Sequence, residues 1–201
     1  MSLNTAFESI VEQAAIKWFR DIGYEYLHGT EIPIGERGSY SEVILKDRLY
    51  NALTRINPTL TTSCIEDAIR QLKTLQYPNI EHNNKEIHNI YRNGAIVIRR
   101  DSKGEEIGEI VKIFDYDDVD NNDFLVCNQV KIKGIGVRIP DIVVYINGLP
   151  IGIFELKNPL DEDATIEGAY RQLNIYKRDI PDLFAYNEIC AVSDGTEAKA
   201  G

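Results

Sequence analysis

Two carboxylates and an ammonium, Asp141, Glu155 and Lys157, lie in an otherwise apolar stretch, RIPDIVVYINGLPIGIFELK, from Arg138 to Lys157. Charged groups set into a buried sheet are costly unless they are paired or bound to a metal. Glu155 and Lys157 are two residues apart, so on a strand they share a face. Two carboxylates on one face make a hard oxygen site suited to Mg²⁺. An ammonium beside them can orient or help deprotonate a metal-bound water, and can stabilise negative charge on a phosphorane-like transition state. That is the chemistry of phosphodiester hydrolysis. A bare E-x-K is more often a salt bridge at a strand end. The Pro140-Asp141 pair, the hairpin spacing and the apolar setting argue for a site here.

The elements that must position these groups are two strands joined by a turn. Ile142 to Ile146 and Ile151 to Leu156 are β-branched and aromatic runs bounded by Pro140 and Pro159. Asn147-Gly148 supplies the turn, because both residues tolerate positive φ. A two-residue loop pairs Asp141 with Phe154 and puts Asp141 on the face opposite Glu155. An odd-length loop or one β-bulge puts the two carboxylates on the same face. Leu149-Pro150 weighs against a simple two-residue hairpin, since Pro150 cannot donate to a ladder.

Around this hairpin the chain reads as one α/β domain. Thr5 to Ile22 has helical periodicity and ends at Gly23; Glu12 sits near its middle. Tyr24 to Leu27 reads as a short strand, and Glu42 to Ile56 as a helix stopped by Asn57-Pro58. Thr62 or Ser63 caps the next helix, which runs to about Gln76, and Lys85 to Tyr91 forms a short one, giving a mostly helical elaboration at about 42–92. Strands follow at Ala95 to Arg100, Glu106 to Phe114 and Phe124 to Lys133. The acidic run Asp115 to Asp123 lacks the Gly and Glu of an EF-hand in any register and reads as a surface loop. After the acidic patch Asp161-Glu162-Asp163, a helix from about Ala164 to Arg178 puts Gln172 and Tyr176 on one face, four residues apart. Ile180-Pro181 breaks that helix, and Glu188 to Ser193 is the last strand.

Pro140-Asp141 followed by Glu155-Leu156-Lys157 resembles the PD-(D/E)xK nuclease signature. Gln172-Leu-Asn-Ile-Tyr176, fifteen residues beyond Lys157, resembles the Q-x-x-x-Y element of its RecB-like branch. The string NGLPIGIFELKNP resembles the N-terminal nuclease domain of the restriction (motor, R) subunit of type I restriction-modification enzymes, and the similarity runs from the first helix to SDGTEAKAG. The resemblance implies a restriction-endonuclease-like core, a mixed β-sheet flanked by helices. It implies cleavage of double-stranded DNA dependent on Mg²⁺, with Mn²⁺ able to substitute. Asp141, Glu155 and the carbonyl of Leu156 would be metal ligands, and Lys157 would act on the attacking water. An acidic residue on the first helix adds to the metal site in resembling nucleases, a role that falls on Glu12. Gln172 and Tyr176 would contact DNA or position Lys157. The resemblance also implies modification and specificity subunits as partners, and ATP-driven translocation by motor domains further along the subunit.

The 201 residues suffice for one domain with a proper core, and 43% hydrophobic with 27% charged residues is ordinary for a globular protein. No apolar run is long enough to span a membrane, and the N-terminus lacks a signal-peptide pattern. Cys64, Cys127 and Cys190 form no C-x-x-C pair, which predicts buried thiols in a reducing cytoplasm. A net charge of −10 argues against nucleic acid when taken alone. A bound divalent cation offsets that charge at the site, where Lys131, Lys133, Arg138, Arg171, Lys177 and Arg178 also gather. No Walker-type motif is present, so the expectation is an N-terminal fragment of a longer subunit, weak or inactive by itself. Two rivals remain. One is a repair nuclease of the same fold. The other is a catalytically silent nuclease-like module that docks protein or grips DNA, a role that suits the acidic surface.

Overall fold

The computed structural model describes residues 3–33, 35–100, 103–157, 166–194 and 196–201, with side chains from residue 10 onward. In chain order the elements are α1 (Leu3–Asp21), β1 (Glu25–His28), α2 (Lys46–Ile56), α3 (Thr62–Lys73), α4 (Ile80–Asn93), β2 (Ala95–Arg100), β3 (Glu106–Val111), β4 (Phe124–Asn128), β5 (Ile132–Lys133) and β6 (Val137–Arg138). They continue with β7 (Ile142–Ile146), β8 (Leu149–Leu156), α5 (Ile166–Asp179), α6 (Pro181–Tyr186), β9 (Ile189–Ser193) and β10 (Ala198–Ala200).

Six strands form one mixed sheet in the order β1-β4-β7-β8-β9-β10. β1 runs parallel to β4 and β8 parallel to β9, while β4, β7 and β8 form an antiparallel meander. Helices cover both faces, as expected of a restriction-endonuclease-like core. Side-chain alternation sorts the meander cleanly. Val143, Tyr145 and Ile153 point into the large core with α2, α3, α5 and α6, whereas Val126, Ile142, Val144 and Leu156 meet Ile16 and Phe19 of α1. Only part of the apolar periodicity of α1 is buried. Val11, Ala15, Ile16 and Phe19 pack on the sheet, and Ile10, Trp18 and Ile22 face solvent.

Several boundaries differ from those expected, each for a local reason. α2 starts at Lys46 rather than Glu42, because Val43, Ile44 and Leu45 are buried ahead of it and the Glu36 carboxylate accepts from the N–H groups of Asp47 (3.0 Å) and Arg48 (3.3 Å). α3 is capped by the side chain of Thr61, one residue earlier than expected, and ends at Lys73. α4 begins eleven residues before Tyr91, at Ile80, since Asn79 accepts from Glu81 and His82. The run Phe124 to Lys133 is two strands. Gln129, at φ 53°, breaks it after Asn128. Pro181 opens the short α6, a role suited to proline at a first helical position. The patch Asp161-Glu162-Asp163 and the expected start of the next helix at Ala164 lie outside the described residues.

Cys64 and Cys127 are buried free thiols as expected, whereas Cys190 is only partly buried; burial pushes the Cys127 thiol up to about 12. Among the described residues no helix is long and apolar enough to cross a membrane.

Candidate active site

The hairpin has both of the features that the sequence presented as alternatives. Asn147 (φ 52°) and Gly148 (φ 76°) make a two-residue turn with both residues in the left-handed region. The Asn147 side chain is fully buried, accepts from Asp123 N–H (2.7 Å) and donates to the carbonyl of Ile113 (2.8 Å). The turn pairs Ile146 with Leu149 and Tyr145 with Pro150. Pro150 precedes the first residue of β8 that pairs with β9, Gly152, so its missing N–H costs no ladder bond.

The register then shifts. Val144 pairs with Gly152, Val143 with Ile153 and Ile142 with Phe154, leaving Ile151 as the extra residue of a β-bulge. One step further, this register sets Asp141 opposite Glu155. Both residues have the parity of Val143 and Ile153 and share the face that carries α5.

Leu156 ends β8, and its N–H donates to Oδ2 of Asp141 at 2.7 Å. The next amide, of Lys157, points the other way and donates to Ser193 of β9 at 2.8 Å. The N–H and C=O of one strand residue lie on the same side, so the Leu156 carbonyl is turned toward the Asp141 side. Glu155 is only 3% exposed. Its Oε1 accepts from Lys157 Nζ at 2.8 Å and its Oε2 from the Tyr176 hydroxyl at 3.0 Å. The side chain of Gln172, one turn earlier on α5, hydrogen-bonds to Tyr176. Tyr176, expected to touch DNA or Lys157, is thus buried and holds Glu155. Burial, with the Glu155 charge second, pushes its hydroxyl above the usual tyrosine range.

Burial pushes the Asp141 carboxyl above the usual carboxylate range, and the charge of Glu155 adds to this. The Leu156 N–H and Lys157 oppose the shift without cancelling it. Glu12 comes from α1 on the other face and raises it slightly further. Its carboxylate accepts from the side chains of Asn128 and Gln129, the latter at 3.0 Å. The main-chain N–H of Gln129 donates to the carbonyl of Asp141 at 3.2 Å, so one residue ties the first helix to the head of β7. Tyr26 donates to Asn128 at 3.0 Å and completes this support. Asn128 and Gln129 did not stand out in the sequence. Their only signal there is a polar pair closing the apolar run Phe124 to Cys127.

Among the described residues no group of three or more His, Cys, Asp and Glu side chains is placed to hold a metal ion. The site instead offers two facing carboxylates, a backbone carbonyl and one ammonium, at the end of a sheet.

The sequence pattern of the family described as type I restriction enzyme R protein N terminus matches residues 7–201. The chain belongs to this family. It is 33% identical over 200 residues to the type I restriction enzyme HindI endonuclease subunit of Haemophilus influenzae, a match covering 96% of this chain and 19% of that subunit. It is 35% identical over 198 residues to the putative type I restriction enzyme MjaIXP endonuclease subunit of Methanocaldococcus jannaschii, with the same coverage of 96% and 19%. A second M. jannaschii protein, the putative type I restriction enzyme MjaVIIIP endonuclease subunit, is 32% identical over 174 residues, covering 85% of this chain and 16% of that subunit. This R-protein N terminus therefore spans about a fifth of the length of the relatives it matches. Asp141, Glu155 and Lys157 lie inside the matched span.

Proposed function

We propose that this R-protein N terminus is the Mg²⁺-dependent endonuclease domain of a type I restriction enzyme, hydrolysing phosphodiesters of double-stranded DNA. In the longer subunit its action is coupled to an ATP-driven translocase, and the assembly includes modification and specificity subunits. The observation that carries this reading is the bulge at Ile151, which sets Asp141 opposite Glu155 with the Leu156 amide on Asp141.

The donor set fits a hard divalent cation. Asp141 and Glu155 face each other beside the ammonium of Lys157, with Glu12 nearby on the other face, and Asp141 resists ionisation first because it is buried and second because of the Glu155 charge. Asp141, Glu155 and the Leu156 carbonyl would hold Mg²⁺, or Mn²⁺ in its place, with Glu12 contributing from behind through Asn128 and Gln129. When bound, the cation lowers the pKa of a ligated water and offsets charge on the phosphate under attack. Lys157 carries its ammonium at the Glu155 carboxylate, where it orients the attacking water and faces the charge that develops on the phosphate oxygens. Tyr176 fixes Glu155 from the other oxygen, and Gln172 fixes Tyr176.

Calorimetric titration with Mn²⁺ and with Mg²⁺ tests this reading. Wild type binds one ion at saturation, Asp141→Asn loses that binding while keeping its fold, and a wild type that binds neither ion overturns the reading. The net charge of −10 favours a second one, a silent module that docks protein. Full cleavage by an assembly carrying Asp141→Asn would favour it.

A further inference from the structure

Between the break at Gln129 and the catalytic face, the chain makes a small hairpin of β5 and β6 whose tip is Gly134-Ile135-Gly136. Ile135 is 86% exposed. An isoleucine so exposed on a mobile loop would mean little, but this one is fixed from three sides. The N–H of Ile135 donates to the carbonyl of Asp179 at 2.8 Å, and Gly134 N–H donates across the tip to Gly136 at 2.8 Å. At the base, Lys133 N–H donates to Tyr40 at 2.9 Å, and buried Arg37 clamps the carbonyls of Tyr40 and Lys131. The flank of the hairpin is held by Arg138, whose guanidinium binds the buried carboxylate of Asp179. The tip lies so close to the end of α5 that a Cβ at Gly134 would fall 2.1 Å from the Asp179 carbonyl oxygen. The fold thus spends a buried carboxylate, two arginines and a glycine on presenting an apolar side chain to solvent.

The same helix end serves the site. Tyr176, which holds Glu155, and Asp179, which holds the hairpin, are three residues apart on one face of α5. β6 leads through Ile139, whose carbonyl lies 3.5 Å from the Tyr176 hydroxyl, into Pro140 and Asp141. Asp141 is six positions beyond Ile135, so the tip lies within ~20 Å of it, the reach of that much extended chain. Its surroundings are cationic in a chain that is acidic overall. Lys133 adjoins the tip in the chain, Arg138 and Arg178 bind Asp179 behind it, and Lys131 lies over the Tyr40 ring at the base. A positioned aliphatic side chain with cationic side chains beside it is the equipment of a groove-reading element.

Resting on the nuclease reading above, we propose that the Gly134-Ile135-Gly136 tip seats in a groove of the duplex beside the scissile phosphate. Ile135 lies against sugars and base edges while Lys133 contacts the backbone. The hairpin then sets the depth and register of the DNA over Asp141 and Glu155, and Ile135 is a positioning residue for cleavage.

The test is fluorescence-anisotropy binding of a short labelled DNA duplex at several salt concentrations, without divalent metal, so that it does not depend on catalysis. Ile135→Asp should weaken binding ~10-fold at unchanged melting temperature, because it puts a carboxylate against phosphates where there was an apolar contact. Ile135→Leu should bind like wild type. Lys133→Ala should reduce the slope of log affinity against log salt by about one. Equal affinity of Ile135→Asp and wild type, or a wild type that binds no duplex even at low salt, overturns the hairpin's role. Neither result bears on whether the carboxylates bind metal.

Discussion

The hydroxyl of Tyr176 donates to Oε2 of Glu155 at 3.0 Å, while Lys157 holds Oε1 of the same carboxylate at 2.8 Å. A strand and a helix thus grip opposite oxygens of one buried acid. Tyr176→Phe removes one grip and leaves the rest of the packing in place. A buried hydrogen bond to a charged acceptor contributes roughly 1.5–3 kcal/mol, so urea denaturation should show a loss of that order. Mn²⁺ affinity should also fall, because Glu155 is then free to turn. Unchanged stability together with unchanged Mn²⁺ affinity would show that the tyrosine is mere filling.

Lys157→Ala should separate cleavage from the motor. In the full assembly, DNA cleavage should drop by at least 10²–10³, the cost of losing a positioned electrostatic stabiliser. ATP hydrolysis and translocation should continue, because the ammonium lies at the Glu155 carboxylate, within the proposed nuclease site. Nicking and ATPase measured on one preparation decide the matter. Wild-type cleavage would remove Lys157 from the mechanism.

Asp179 gives the domain a dependence on acid. Its side chain accepts from Arg178 and Arg138, and these two bonds hold its carboxyl below the usual carboxylate range. A carboxylate depressed in the folded state contributes stability that is present above its unfolded pKa and is lost as pH falls through the folded one. The hairpin clamp should therefore hold above about pH 4 and release progressively below it. Asp179→Asn should remove this part of the pH dependence in melting experiments between about pH 2 and pH 5. An unaltered profile would mean that the two arginines add nothing to folding.

Gly148→Ala should be among the costliest single changes in the hairpin. The residue sits at φ 76°, and a Cβ there would lie 2.4 Å from the carbonyl oxygen of Leu45 and 2.8 Å from the amide of Leu49. The left-handed conformation alone costs a non-glycine residue about 1–2 kcal/mol. The clash falls on backbone at the start of α2, which cannot rotate away. Equilibrium unfolding should show a loss of at least about 2 kcal/mol. Near-wild-type stability would mean that the turn relaxes away from α2.

Most of what was local could be read in the sequence. Asn147-Gly148 announced the turn, and Glu155 and Lys157 share a face on any strand. The helix carrying Gln172 and Tyr176 was legible from spacing alone. Where reading stopped, the cause was contact between distant parts of the chain. The hold of Asn128 and Gln129 on Glu12 spans more than a hundred residues and has no local signature. The start of α2 is fixed by Glu36, which lies outside the helix, and the exposed side of Trp18 on α1 follows from which neighbours exist. The bulge at Ile151 was foreshadowed by Pro150, a weak ladder residue, which does not say which way the register resolves.

That bulge has a consequence for how the segment can vary. Thirteen residues separate Asp141 from Glu155, and the two carboxylates face each other only because that number is matched to a two-residue turn plus one extra residue. The side chain at position 151 takes no part in the site, so many replacements there should pass unnoticed in a mutational scan. One codon gained or lost within the same segment would turn a carboxylate to the far side of the sheet while leaving both acids and the lysine in the protein. What is constrained between the two acids is an interval more than a spelling, and insertions and deletions should be purged from it far more strictly than substitutions.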